Sequence, residues 1–365
     1  MRYWAGICLA LALAFPAVAF AQSPWAIQPS GTTERLRGVS AVDEQVVWAS
    51  GNHGTCLRSV DGGASWRQVP APEAAGLDFR DVEAFDAERA FVLAIGPGEA
   101  SRIFKATRGG TALVEVYRNR DPKRFFDAIA FWDHEHGLAL GDPVDGRFVI
   151  LKTDDAGRVW EQTSDPGTMP AALPNEGAFA ASGTCLVVGA DGQAWFGTGG
   201  GSKARVFRST DRGRSWAVAE TPMIAGEASS GLFSLAFVDR KTGVAVGGDY
   251  IKGGKNSINF SATIDGGQSW TVALSPPTRT SLNFQPNGFR SAVVYLPNQP
   301  GPSLLTVGPS GTDLSTDGGK TWREEEGGAE GYHALSVAPT GRFAWAVGEG
   351  GRIGRMTIDR AIKAR

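Results

Sequence analysis

Arginines and carboxylates recur side by side in this 365-residue chain, at the starts of apolar stretches and in the loops after them. Arg37 stands in ERLRGVS, Arg80 beside Asp81 in FRDVEAF, Arg124 ahead of Asp127 in RFFDAIAF, and Arg290 in FRSAVVY. Glu176 and His333 hold comparable places. The intervening loops offer His53, Asp142 with Asp145 and Arg147, Lys203 with Arg205, Asp249 with Tyr250 and Lys252, and Asp313. A guanidinium presents a planar fork of donors that matches a carboxylate or a phosphate. Gathered around one opening, these arginines would bind an anionic group. Paired with the acids next to them, they would only pin loops. The choice depends on what positions them.

The positioning elements repeat. SVDGGASW (59–66) returns as TDDAGRVW, STDRGRSW, TIDGGQSW and STDGGKTW, ending at Trp66, Trp160, Trp216, Trp270 and Trp322. Intervals of about fifty residues separate the copies, except for one of double length that holds the decayed copy ATRGGTAL (106–113). Each copy follows three apolar stretches: a first such as FFDAIAF or LFSLAFV, a second ending in glycine such as GVAVGGD or LLTVGPSG, and a third running into the turn. A fourth begins at the Trp. Four short strands per repeat is the pattern of a β-propeller blade. The last unit has three strands, and Trp25-Ala-Ile-Gln28 supplies its fourth, which closes the ring without an open edge. The expected fold is therefore all-β: one seven-bladed propeller over residues 22–365, latched by its N-terminal strand.

In each turn the Asp (Asp61, Asp155, Asp211, Asp265, Asp317) can accept backbone N–H groups, and Ser or Thr adds a local bond. The Trp supplies an apolar plate to pack between sheets. These residues are assigned to structure.

Composition narrows the function. Lys and Arg total 36 against 38 Asp and Glu, for a net charge of -2, which gives no grip on nucleic acid. Residues 1–21 carry an arginine, an apolar run and Ala19-Phe20-Ala21, the pattern of a cleaved signal peptide. Export to the periplasm, with no membrane insertion afterwards, is expected. Cys56 and Cys185 lie several repeats apart and are not expected to pair. His134-Glu-His136 has no third ligand in view, so no metal site is expected. GTGGGSKAR (197–205) lacks phosphate-loop spacing and a following helix, and reads as a flexible loop. No dinucleotide fingerprint or serine elbow occurs, and no cofactor is expected.

The S/T-x-D-x-G-x-x-W turn resembles the Asp-box, or BNR repeat, of sialidase-type propellers, where such turns lie on the face away from the usual active site. FRDVEAFDAERAFVLAIG, GVAVGGD and the repeated TDGGxxW together resemble the photosystem II stability/assembly factor family. GDPVDGRF (141–148) and GPSGTDLSTDGGKTW (308–322) also resemble a bacterial branch labelled oxidoreductase, although no cofactor site accompanies them here. The resemblance implies an exported, non-catalytic propeller that binds a protein partner, such as a membrane complex under assembly. The sialidase likeness implies an alternative, a glycoside hydrolase acting on an anionic sugar. Arg37, Arg80 and Arg290 would then form a carboxylate clamp, with Asp81 or Asp127 as acid and Glu176 or Tyr250 as nucleophile. ERLRGVS stands where sialidases carry an Arg-Ile-Pro motif.

Overall fold

The computed structural model describes residues 23–363, except 164–165, 254–256, 273–283 and 326–329. The expected leader, residues 1–21, lies outside the described residues. Seven antiparallel sheets form a ring. Their innermost strands are Leu36–Ala41 (blade 1), Asp78–Ala84 (blade 2), Phe126–Phe131 (blade 3), Leu186–Val188 (blade 4), Ser230–Phe237 (blade 5), Ala292–Leu296 (blade 6) and Tyr332–Val337 (blade 7). Each abuts the next, and blade 7 returns to blade 1. Among the described residues six blades have four strands and blade 5 has three, with a bridge from Ala262 to Thr271.

The ring closes as the sequence indicates. Trp25–Gln28 pairs antiparallel with Ile353–Thr357, the outer hairpin strand of blade 7, in the register Trp25 to Met356 and Gln28 to Ile353. Trp25 is 2% exposed, and its indole N–H donates to Thr312 Oγ1 of blade 6 at 3.1 Å. Gln28 donates to Gly62 O in the blade 1 turn. Beyond the all-β expectation, a short helix, Ile358–Lys363, follows the last strand and packs Ile358 and Ala361 into the core of blades 6 and 7.

The core consists of apolar layers between blades, because each sheet buries both faces against its neighbours. The turn tryptophans sit in these layers. Trp160 joins Phe91 and Phe131 between blades 2 and 3. Trp216, Trp270 and Trp322 do the same at the next three junctions, and Trp66 lies half-buried between blades 7 and 1.

The turns share one hydrogen-bond pattern. Ser59 Oγ accepts Gly63 N–H at 2.7 Å and donates to Asp61 Oδ1 at 2.8 Å. Asp61 in turn accepts the Ser65 N–H and hydroxyl. The same atoms pair around Asp211, Asp265 and Asp317; at Asp155 the last position is Val159, which offers only its N–H. The decayed copy keeps the turn without the acid. Gly110 has φ +73°, and a Cβ there would lie 2.2 Å from Ala87 O, so glycine alone fits.

Candidate functional site: the mouth of the ring

A cavity of about 510 Å³ opens at the end of the ring where the innermost strands begin, and every blade contributes to its lining. One wall is cationic: Arg35 and Arg37 of blade 1 and Arg80 of blade 2, with His333 of blade 7. The opposite wall is aromatic: Phe179, Phe233, Tyr250 and Phe289 from blades 4, 5 and 6. Phe179 and Phe233 stack at 3.8 Å, and Phe289 meets Phe233 edge-on at 4.8 Å. Tyr250 is 54% exposed at the rim. Asp127 and Asp142 of blade 3 lie in the floor.

The floor is closed by the chain itself. Blade 4 has a first strand of only three residues, because residues 177–184 leave the sheet and cross the axis. This plug touches blades on all sides. Ala178 N–H donates to Asp142 Oδ1 at 3.0 Å, Ala180 O accepts from Arg80, and Ala181 O accepts from Arg37 at 3.0 Å. Ser182 Oγ donates to Ser291 O, and Thr184 Oγ1 bonds Ser234 Oγ. Small residues, AASG, allow the segment to pass through the narrow centre. The GTGGGSKAR loop, expected to be flexible, braces it through backbone bridges. Gly199 is bridged to both Gly177 and Gly231, and a Cβ on Gly199 would meet Ser230 O at 2.5 Å.

Buried charges mark the mouth. Burial, then Arg80 and Arg35, lower the Arg37 pKa to about 9, so Arg37 keeps its charge at neutral pH. Burial and the Arg37 charge push His333 down to about 4, against the pull of its 2.7 Å contact with Glu349, and leave it neutral. Burial raises Asp142 to about 6 and Asp127 well above the carboxylate range, with Asp142 adding to the latter. Asp81, below the plug, rises to about 7 by burial although the Ile129 N–H bonds it at 2.8 Å. Glu83, two residues along the same strand, rises to about 8 through burial and then the Asp81 charge.

The expected site residues divide. Arg37, Arg80, Asp127, Asp142, Tyr250 and His333 line the cavity together. Asp81 lies beside Gly183 of the plug. Four expectations are corrected: Arg205, Glu176, Asp249 and Arg290 do not line the cavity. Arg290 is fully buried: its Nε donates to Asp313 and its Nη1 to Ser310 and Phe289 O, so it does not line the cavity. Glu176 does not open a strand; it is buried against Arg205, whose Nε bonds Oε1 at 2.8 Å, and accepts the Thr198 hydroxyl. Asp249 is a loop cap that accepts Ser229 Oγ and the N–H groups of Ile251 and Lys252. The three-arginine clamp therefore does not form, and Glu176 and Arg205 face each other rather than a ligand.

Cys56 and Cys185 are free and buried, and burial pushes the Cys56 thiol up to about 12. His136 bonds Asp133 in an exposed turn, and no group of three or more metal-ligating side chains occurs among the described residues. The phenylalanines were the residues sequence reasoning missed. Phe179, Phe233 and Phe289 recur one repeat apart at the entrance to successive blades, a spacing that identifies them as a set.

No protein-family model matches this chain, and no curated protein matches it. Solved structures do. The chain is similar to YCF48 bound to D1 peptide, at 17% identity and a TM-score of 0.64, covering 94% of this chain and 99% of that one. It is similar to YCF48 from Cyanidioschyzon merolae at 14% identity and a TM-score of 0.61, covering 92% and 99%. The WD40 propeller domain of Doa1 matches at 12% identity and 0.59, covering 94% and 99%. At these identities the likeness establishes the seven-bladed propeller.

Proposed function

We propose that this protein is an exported, non-catalytic scaffold that receives a segment of a protein partner in the mouth of its propeller. The observation that carries this reading is the pair of unlike walls over a closed floor. Arginines on one side can meet acidic or carbonyl groups, and aromatic rings on the other can cover apolar side chains. A rigid ring holds both in place, so little ordering entropy opposes binding. A peptide is also what one structural neighbour, YCF48, holds. The apolar leader supports delivery to the periplasm, where segments of membrane complexes under assembly would be the natural partners. The hydrolase alternative loses its clamp with Arg290.

The test is an array of overlapping peptides that tiles the exported and membrane proteins of the source organism, probed with the mature protein. Specific binders should appear, and Arg80→Ala combined with Tyr250→Ala should weaken them at least about tenfold, as loss of an arginine and an aromatic contact together does. Binders indifferent to that double substitution, or no binders, would sink the reading.

A further inference from the structure

The floor of the mouth holds a pair of groups that neither wall uses. Asp127 stands at a bulge on the innermost strand of blade 3, between Phe126, which pairs with Gly141, and Ala128, which pairs with Leu140, and the charge of Asp142 acts on it. It is 1% exposed, and its Oδ2 has no hydrogen-bond partner. Asp142 gives one oxygen to Ala178 N–H. Burying a carboxyl without a donor is costly, and native structures seldom leave one so. The donors nearby are committed: Arg37 to Ala181 O, and Arg80 to Ala180 O and Asp78. The Cys185 thiol, also a neighbour of Asp127, supplies no cation. Beside the floor, one residue along the plug from Ala178, the stacked rings of Phe179 and Phe233 form a flat apolar surface. A carboxyl pair at the end of such a surface suits a cation on an alkyl stem, whose methylenes lie on the rings while its head reaches the acids.

We propose that Asp127 and Asp142 form a subsite for the ammonium group of a lysine side chain in the bound partner segment. The proposal rests on the partner-binding reading above and adds a specificity to it. The arginines of the wall and the acids of the floor would then read opposite charges at two depths of one mouth, which fixes the direction of the segment.

The test uses the best binder from the array and its Lys→norleucine counterpart, which keeps the stem and removes the charge. The wild-type protein should prefer the lysine form by roughly tenfold or more, and Asp127→Asn and Asp142→Asn should each reduce that preference several-fold with norleucine binding retained. Thermal unfolding checks that the variants fold. Binding at the mouth without lysine preference, or preference unchanged in both variants, overturns the subsite and leaves the scaffold reading standing. A second arm needs no peptide: n-butylammonium followed by saturation-transfer NMR, with 1-butanol as the neutral control. Selective contact with the ammonium, lost in Asp127→Asn, supports the subsite even if the array fails. Equal or absent signals mean that Asp127 holds only water, and the proposal falls.

Discussion

The two ends of this propeller use the same side chain in opposite ways. On the repeated turns, aspartates are surrounded by donors. The Ser65 hydroxyl and N–H, with Ser59, hold Asp61 at about 2. At Asp265 burial pulls upward, but the Ser269 hydroxyl and N–H with Thr263 outweigh it and again hold the acid at about 2. At the mouth and beneath its plug, Asp142 at about 6 and Asp81 at about 7 are lifted by burial, with too few donors to offset it. An aspartate fully satisfied within its own eight-residue turn shapes the chain and has nothing left to offer. An aspartate buried with few donors costs stability, and such a group is a candidate for binding something else.

The largest expected effect bears on the first half of the contrast. Trp216→Ala empties a place between blades 3 and 4 and should cost about 3–5 kcal/mol in denaturant unfolding, with ligand affinity at the mouth unchanged. A loss of affinity as large as the loss of stability would mean that the ends are not independent. Ser209→Ala is next. It removes the acceptor of Gly213 N–H and a donor to Asp211, leaving a buried N–H unpaired, and should cost about 1–3 kcal/mol.

The smallest effect has the opposite sign. The folded protein holds a proton on Asp81 that the unfolded chain releases near pH 4, so this group's contribution is complete below that pH and is lost as pH rises through about 7. Asp81→Asn should therefore match the wild type near pH 4 and exceed it by about 1–2 kcal/mol at pH 8. The depressed turn acids behave in reverse: their contribution is present above about pH 4 and lost as pH falls through about 2. His333 also gains stability from pH 4 upward, which is why the comparison is between variant and wild type at each pH and not along one curve. If Asp81→Asn is less stable at pH 8, the acid beneath the plug is satisfied and the contrast is false.

The repeats were legible because one turn with a fixed chemistry recurs with a tryptophan in register, and because WAIQ at the start completes a unit that lacks its last strand. Arg37, Arg80, Asp127, Asp142, Tyr250 and His333 were legible as a group because the ring brings the same part of every repeat to one opening. Residues 177–184 were not. Their small side chains read as a weak first strand, and only the crowding of seven strands around one axis shows that they cross it. The same limit hid Arg290: its strand-start position is right, but its side chain turns inward to Asp313, a partner in the next hairpin. Position within a repeat says which end of the ring a residue occupies, not which way its side chain turns.

The pairing of Trp25–Gln28 with Ile353–Thr357 sets an order of events. The opening segment of the chain has no sheet to join until the closing hairpin has been made, so its pairing follows that hairpin. Until the inner strands of the last blade, Tyr332–Val337 and Phe343–Gly348, are in place, the sheets of blades 6 and 1 each lack a neighbour, and the seven contributions to the mouth do not face one another. A competent mouth is thus a certificate that the whole chain has arrived.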